Sequence, residues 1–240
     1  MSEITIYHIE GRRSFRVIWT CEELGVPYDL VFKPGDLMGS MALLKQVNPI
    51  IPMEPTVKYQ GQVLVESGAI VELIQQRYGK GRLAPAVDSE DYPFHLQWLH
   101  FAEATSQYRG WAIRFASMIS GVPADQIPSE FQGFKLVGMQ EVFDFMEDYL
   151  SRYPYFGGKE FSTADIMMEF SVPSAKLTAG FDPVNFKRVQ DWVKRVRSRP
   201  AFTRAREAAV PGGYDEYGLP VGMPLPFPPP TRPLPVPTVR

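Results

Sequence analysis

The stretch ITIYHIEGRRSFRVIWTCEELGVPYDLVF, residues 4–32, decides the fold of this chain. Its two ends, ITIYHI (4–9) and YDLVF (28–32), are rich in β-branched and aromatic side chains, which predicts two strands. Between them, four apolar residues recur at helical spacing: Val17, Ile18, Cys21 and Leu24. A strand, a helix and a strand in so short a stretch indicate a parallel βαβ unit.

The helix inside this unit has a start signal and a stop signal. Ser14 is predicted to cap the N-terminus, because a serine side chain can accept a hydrogen bond from a free backbone N–H there. Gly25 is predicted to end the helix, since glycine readily adopts the left-handed conformation that helix ends favour.

Downstream of this unit, the pattern predicts a short helix near MALLKQV (41–47), a strand hairpin and a further helix. The hairpin pairs strands 56–59 and 62–65, and the helix after it ends at Tyr78. Helical patterns alone then cover four ranges: about 90–120, 129–152, 163–178 and 185–208.

The chain therefore divides by composition. We predict an α/β domain at 1–80, an all-helical domain at 89–210 and a proline-rich tail at 211–240. The tail cannot form a helix or a central strand, because proline lacks the backbone N–H that both need. Four apolar residues lie between its prolines, and we expect it to dock on the body of the protein: Leu225, Phe227, Leu234 and Val236.

The composition excludes several classes of protein. Lys plus Arg number 25 and Asp plus Glu number 27, so the net charge of −2 gives no general attraction to nucleic acid or anionic lipid. The single cysteine, Cys21, excludes an intrachain disulfide, and its apolar setting indicates a buried structural thiol. No apolar run approaches a membrane span, and no signal peptide opens the sequence. We expect a cytoplasmic protein with no metal, membrane or nucleic-acid partner.

Two arginines, Arg12 and Arg13, precede the first helix. A helix N-terminus already carries a positive partial charge and free N–H groups, so two cations there suit a bound anion. The alternative is that both side chains point into solvent.

Two acidic dipeptides mark the edges of the predicted hairpin. Pro55 must lie at a strand start, and a cis Glu54-Pro55 bond would turn the Glu54 backbone outward to pair with an extended peptide ligand. At the next helix start, Glu66 can bind an ammonium group while Ser67 and the helix N–H groups bind a carboxylate. This pair suits an amino-acid head group; the alternative is that Ser67 is a plain N-cap.

A third helix start occurs at Ser162-Thr163-Ala164-Asp165, ahead of an apolar run. This is a capping-box pattern with Asp in place of the usual Glu or Gln, and it predicts a structural role.

Together, four segments resemble the cytosolic glutathione S-transferase superfamily, in particular bacterial and fungal members without a clear class. They are SFRVIWTCEELGVPYDL (14–30), VNPIIPMEPTV (47–57), LVESGAIVELIQQRYG (64–79) and YFGGKEFSTADI (155–166). The resemblance covers about residues 4–208. It implies the glutathione transferase fold, which is an α/β thioredoxin-like N-terminal domain plus an all-α C-terminal domain. It also implies a homodimer that uses glutathione as co-substrate in detoxification.

The resemblance assigns glutathione contacts to individual residues. Glu66 and Ser67 would bind the γ-glutamyl group, and the backbone of Glu54, before a cis Pro55, would pair with the cysteinyl part. The family's lysine for the glycyl carboxylate is missing from a loop that is one residue longer than usual. A basic residue elsewhere would replace it: Arg12, Arg13 or Lys45.

Activation of the glutathione thiol is assigned first to Ser14. A thiol has a pKa of about 8.5, and only its thiolate is a good nucleophile, so a hydroxyl donor at a helix start would favour the reactive form. Tyr7 is the second candidate, with a structural strand aromatic as its alternative role. The third candidate is the helix amides and arginines alone.

A hydrophobic electrophile would lie against the helical domain. Four aromatic residues are predicted to share part of one helix face there: Phe101, Tyr108, Trp111 and Phe115. The alternative is that these rings belong to the core.

Two other functions use the same fold. One is a non-catalytic protein that binds glutathione or a partner, which the irregular loop before Pro55 favours. The other is a glutathione-dependent reductase, which the lack of a cysteine before Arg16 disfavours.

Overall fold

A computed structural model describes residues 2–127, 138–213 and 221. Its sheet has four strands in the order β2-β1-β3-β4, and β1 runs parallel to β2 and antiparallel to β3. The strands are β1 Ile4–Tyr7, β2 Asp29–Val31, β3 Thr56–Tyr59 and β4 Gln62–Leu64. The predicted parallel βαβ unit and the β3–β4 hairpin are confirmed, although three of the four strands are shorter than predicted.

Three helices accompany the sheet: α1 Ser14–Leu24, α2 Leu37–Val47 and α3 Ser67–Tyr78. Ile4 and Ile6 of β1 share a buried core with α1 and α3, because alternate residues of a strand point to the same face. Gly25 ends α1 with a left-handed φ of 68°, as predicted. The helix α2 begins earlier than predicted, since Asp36 accepts a hydrogen bond from the Gly39 N–H at 2.8 Å and caps it there.

The described residues after 88 form seven α-helices. They are α4 Tyr92–Phe101, α5 Tyr108–Ser120, α6 Met139–Leu150, α7 Thr163–Glu169, α8 Ser171–Ala179, α9 Lys187–Arg197 and α10 Pro200–Ala209. Three of the long helices predicted from sequence are therefore interrupted. A π-helix, Ala102–Gln107, separates α4 from α5, and the chain breaks before Pro200, which has no N–H to continue a helix.

The capping box predicted at the start of α7 is confirmed. Ser162 Oγ accepts a hydrogen bond from the Ala164 N–H at 3.2 Å, and the Asp165 carboxylate accepts one from the Ser162 N–H at 2.9 Å. Two donors from elsewhere in the helical region, the Phe156 N–H and the Trp192 indole N–H, also reach Asp165, each at 2.8 Å. Asp165 therefore fixes two further segments besides its own helix.

Aromatic packing joins the two regions of the chain. Trp19 of α1 is fully buried, with its ring centroid 4.9 Å from that of Phe202 in α10 and 5.5 Å from that of Phe161. Phe15, in the first turn of α1, also lies 5.4 Å from Phe202 between ring centroids, so the N-terminus of α1 packs against the helical region.

Some predictions fall on residues outside the description. These are the first part of the helix predicted at 129–152, which overlaps residues 128–137, and the docking of the tail, residues 214–220 and 222–240. Across the three described ranges, none of the helices has the length and apolar character to span a membrane. The same ranges contain no group of three or more His, Cys, Asp or Glu residues arranged to hold a metal ion.

Candidate functional site

The strand register brings the predicted ligand-binding residues to one edge of the sheet. Tyr7 pairs with Thr56, and Val57 pairs with Leu64, so the chain leaves β1, enters β3 and leaves β4 at the same edge. The residues at these points include Pro55 and Glu66. The N-termini of α1 and α3 meet at this edge too, as the next contacts show.

Arg16 of α1 connects directly to Ser67 of α3. Its Nη1 donates to Ser67 Oγ at 3.0 Å, and its Nη2 donates to the Met167 carbonyl at 2.7 Å. The Arg16 side chain is only 1% exposed. The alternative role of Ser67 as a plain N-cap is wrong, because α3 begins at Ser67 and Glu66, with a φ of 73°, takes the cap position. Ser67 Oγ accepts from Arg16, which leaves its own hydrogen available for a ligand.

A carboxylate from the helical region neutralises this buried arginine. Glu103 accepts from Arg16 Nη1, and both its oxygens accept from Arg13 Nε, at 2.8 and 2.9 Å. Burial alone would raise the pKa of Glu103, but Arg16 and Arg13 hold it below its ordinary value. Glu103 is therefore ionised at neutral pH. The alternative that the Arg13 side chain points into solvent is wrong, since its guanidinium binds Glu103 of the π-helix.

Glu54 occupies the positive end of α1. The Glu54–Pro55 peptide is cis, as predicted. The Glu54 side chain accepts hydrogen bonds from the N–H groups of Ser14 at 2.8 Å and Arg13 at 3.2 Å. Burial raises the pKa of Glu54, although the Ser14 N–H and the Arg13 charge act in the opposite direction. The carboxyl group of Glu54 therefore occupies the helix end that suits an anion.

Ser14 does not present its hydroxyl to this edge. Its Oγ lies 2.7 Å from His8 Nδ1, while His8 Nε2 lies 2.8 Å from the Ala209 carbonyl oxygen. A carbonyl only accepts, so Nε2 carries the hydrogen and Nδ1 of a neutral imidazole must accept from Ser14. Burial lowers the pKa of His8 to about 4, which keeps the ring neutral. The predicted N-cap role is also wrong, because the N-cap residue of α1 is Arg13.

Ser14→Ala should therefore act on stability. The change leaves His8 Nδ1 buried without its donor, and we expect the free energy of unfolding to fall by about 1–3 kcal/mol. The ultraviolet absorbance of a bound glutathione thiolate should persist. Urea denaturation and a difference spectrum near neutral pH measure the two effects. Loss of the thiolate absorbance at unchanged stability would restore Ser14 as the activating group.

Tyr7 lies on the opposite face of the sheet from Ile6 and α1. Thr5 pairs with Lys58, so Thr5, Tyr7 and Lys58 share that face, and Lys58 Nζ lies 5.8 Å from the Tyr7 ring centroid. The ring is half-buried rather than in the core.

The four aromatic residues predicted as a substrate wall lie on two helices, and the rings of Trp111 and Phe115 on α5 pack together with centroids 5.9 Å apart. Phe101 packs on Trp98 and Phe145, with ring centroids 4.9 and 5.7 Å apart. A π-helix takes more residues per turn than an α-helix, so the segment between α4 and α5 rotates the faces of α5 relative to those of α4. The other three aromatic residues lie on α5: Tyr108, Trp111 and Phe115.

Comparisons with known proteins identify the family of the chain. The family model described as "Glutathione S-transferase, N-terminal domain" matches residues 2–76, and that for the C-terminal domain matches residues 121–200. A similar curated protein is Glutathione S-transferase 3 of Schizosaccharomyces pombe. It is 28% identical over 217 residues, which span 85% of this chain and 87% of the yeast protein.

Two solved structures resemble the fold. A glutathione S-transferase from Actinobacillus pleuropneumoniae superposes with a TM-score of 0.71 at 20% identity, covering 86% of this chain and 92% of that one. A theta-class glutathione S-transferase from Xanthomonas axonopodis pv. citri, with glutathione bound, gives a TM-score of 0.64 at 22% identity, covering 85% and 97%. The two family models together match more than half of the sequence, and the chain therefore belongs to the glutathione S-transferase family.

Proposed function

We propose that this protein is a glutathione transferase, which binds glutathione at the sheet edge and directs its thiolate at a hydrophobic electrophile. The reaction class is conjugation, substitution or ether cleavage. The observation that carries the proposal is Ser67, whose hydroxyl is buried at the start of α3 and accepts from Arg16. Its remaining hydrogen and the free N–H groups of the helix suit the γ-glutamyl carboxylate. The glutathione in the theta-class structure supports the same co-substrate, and we expect no metal.

The neighbouring groups suit the rest of the co-substrate. Glu66 is exposed beside Ser67, where its carboxylate can bind the ammonium group of the γ-glutamyl part. The Glu54 backbone precedes the cis proline at the start of β3, and we propose that it pairs with the cysteinyl part. Lys45, in the last turn of α2, and the two arginines Arg12 and Arg13 remain the candidates for the glycyl carboxylate.

We assign thiol activation to the positive end of α1 together with Arg12 and Arg13. The Ser14 hydrogen is engaged by His8, and Tyr7 lies on the other face of the sheet, which leaves the third candidate. Glu54 holds the N–H groups of Arg13 and Ser14, so an incoming thiolate must share or displace this carboxylate. Opposite charge and hydrogen bonds to the anion both lower a thiol pKa.

Ser67→Ala tests glutathione binding directly. We expect the affinity for glutathione to fall by about 1–3 kcal/mol, the scale of one hydrogen bond to a charged group. Isothermal titration calorimetry measures the effect. Ser120→Ala, an exposed serine at the end of α5, is the matched control and should bind as the unchanged protein does. An unaltered affinity in Ser67→Ala contradicts the assignment.

A second candidate function is glutathione or partner binding without catalysis. The engaged hydroxyl of Ser14 and the occupation of the α1 amides by Glu54 favour it. Bound glutathione that shows no thiolate absorbance near neutral pH, and no turnover of model electrophiles, would select this alternative.

We also propose a cytoplasmic homodimer. Apolar side chains are exposed on the α/β domain, with Ile50 93% and Met38 70% exposed, and a second subunit would cover them. Light scattering that returns the single-chain mass of 27.2 kDa would contradict the dimer.

A further inference from the structure

A pocket lies between the turn before α1 and the helical domain. About 550 Å³ of empty space lies between the lining residues, part of it open to solvent. Its apolar lining comes from both domains: Phe15, Phe170, Pro173, Leu177 and Phe202. None of the aromatic residues predicted from sequence as a substrate wall lines it. The pocket adjoins Gly11 and Arg12, at the helix end to which thiol activation is assigned.

The charges around this pocket do not cancel. Arg12 lines it, and the Arg12 guanidinium makes no hydrogen bond or ion pair within the described part of the chain. Among the described residues that line the pocket, Glu169 is the acidic one; it is 6% exposed and is held by Arg197, whose Nη2 lies 2.6 Å from a Glu169 oxygen. Burial lowers the pKa of Arg12, which Glu54 only partly offsets. A half-buried cation without a paired anion therefore borders an apolar cavity.

We propose that this pocket binds an organic acid, namely a molecule with one apolar ring and a carboxylate or sulfonate that pairs with Arg12. The inference rests on the proposed function, because it makes acidic electrophiles the preferred second substrate. The planar guanidinium of Arg12 can accept a carboxylate through two parallel hydrogen bonds, and the rings of Phe170 and Phe202 can cover the apolar body. A neutral analogue of the same shape leaves the charge of Arg12 unpaired.

Matched probes test the preference without any chemistry. The acid 4-methyl-3-nitrobenzoate and its amide, 4-methyl-3-nitrobenzamide, have the same ring and differ in charge. By calorimetry in the absence of glutathione, the unchanged protein should bind the acid at least about 10-fold more tightly. Arg12→Gln should reduce this ratio to about one. Arg77→Gln is the control, since it removes the same charge from an exposed position on α3, and it should keep the ratio.

Turnover provides a second readout. With 4-chloro-3-nitrobenzoate, the glutathione thiolate forms the new carbon–sulfur bond, chloride leaves with the electrons of the carbon–chlorine bond, and the thiol proton passes to solvent. The ratio of kcat/KM for this acid to that for its amide should fall about 10-fold in Arg12→Gln. Any effect of Arg12→Gln on glutathione binding applies equally to the acid and to the amide, so it cancels in the ratio of their kcat/KM values.

A variant that fills the pocket locates the effect. Leu177→Trp should weaken binding of both the acid and the amide, since the larger side chain occupies the same space. Equal affinity for the two probes in the unchanged protein, a preference that survives Arg12→Gln, or unaltered binding in Leu177→Trp would each overturn the inference. Failure to bind glutathione refutes the proposed function alone, whereas glutathione turnover without an acid preference refutes only this inference.

Discussion

Asp165→Ala should lower the free energy of unfolding by about 3 kcal/mol. The carboxylate is fully buried and accepts from the N–H groups of Phe156 and Ser162 and from the indole of Trp192. Each buried donor left without an acceptor costs about 1–3 kcal/mol. Burial also raises the pKa of Asp165 to about 6, despite these donors. Removing this buried charge therefore offsets part of the loss in the free energy of unfolding. Urea denaturation measures the difference.

Two variants separate this effect from a general loss of acidic charge. Asp165→Asn keeps one oxygen for Phe156 and Trp192 but turns an amide group toward the Ser162 N–H, and it should cost about 1–2 kcal/mol, as a lost helix cap does. Glu160→Ala changes an exposed acidic residue of the same loop and should remain within about 0.5 kcal/mol of the unchanged protein. Equal stability of Asp165→Ala and Glu160→Ala would contradict a structural role for the buried carboxylate.

The start of α7 illustrates what the sequence could predict. Ser162 and Asp165 are three residues apart, so the bonds that define the capping box are local and their pattern is readable. The βαβ unit follows from local patterns too, with Gly25 ending α1 as predicted. The same holds for Glu66 and Ser67, which a strand and a helix start place together. Because these patterns are local, the sequence predicts the α/β fold and part of the candidate site.

The remaining parts of the site depend on contacts between distant positions. The sequence predicts a free Ser14 hydroxyl at a helix start. In the structure this hydroxyl binds His8, and His8 binds the carbonyl of Ala209, which lies 201 residues further along the chain. Glu54 likewise reads as a backbone contact, whereas its carboxylate caps a helix 40 residues earlier. No periodic pattern carries such information, because the partners are distant in sequence and meet only in the folded protein.

The π-helix is a further feature without a readable signal. Residues 90–120 continue a helical pattern, and nothing in their spacing indicates the six residues of wider turn at Ala102–Gln107. The insertion changes which side chains share a face, so the helical spacing that groups Phe101 with the three aromatic residues of α5 does not carry across it. The π-helix also contains Glu103, so the helical spacing does not predict the position of this side chain either.

Glu103→Ala should destabilise the protein by about 3 kcal/mol. The change leaves the guanidinium of Arg16 buried without its carboxylate, and breaking a buried ion pair from one side costs about 3–5 kcal/mol. The Glu103 side chain is 33% exposed, so water can reach the vacated space and the lower end of that range applies. Glu90→Ala, at an exposed position before α4, is the control for loss of one negative charge.

Replacing the second partner as well tests the ion pair more sharply. Arg16→Met in the Glu103→Ala background should recover part of the lost stability, because an apolar side chain of similar length removes the uncompensated buried charge. The double variant should therefore be more stable than Glu103→Ala alone, even though a methionine side chain cannot donate a hydrogen bond to Ser67. A double-mutant cycle by urea denaturation should give a coupling of about 1–3 kcal/mol. If the two losses simply add, Arg16 and Glu103 are not held together as an ion pair, and the orientation of Ser67 for glutathione must come from another group.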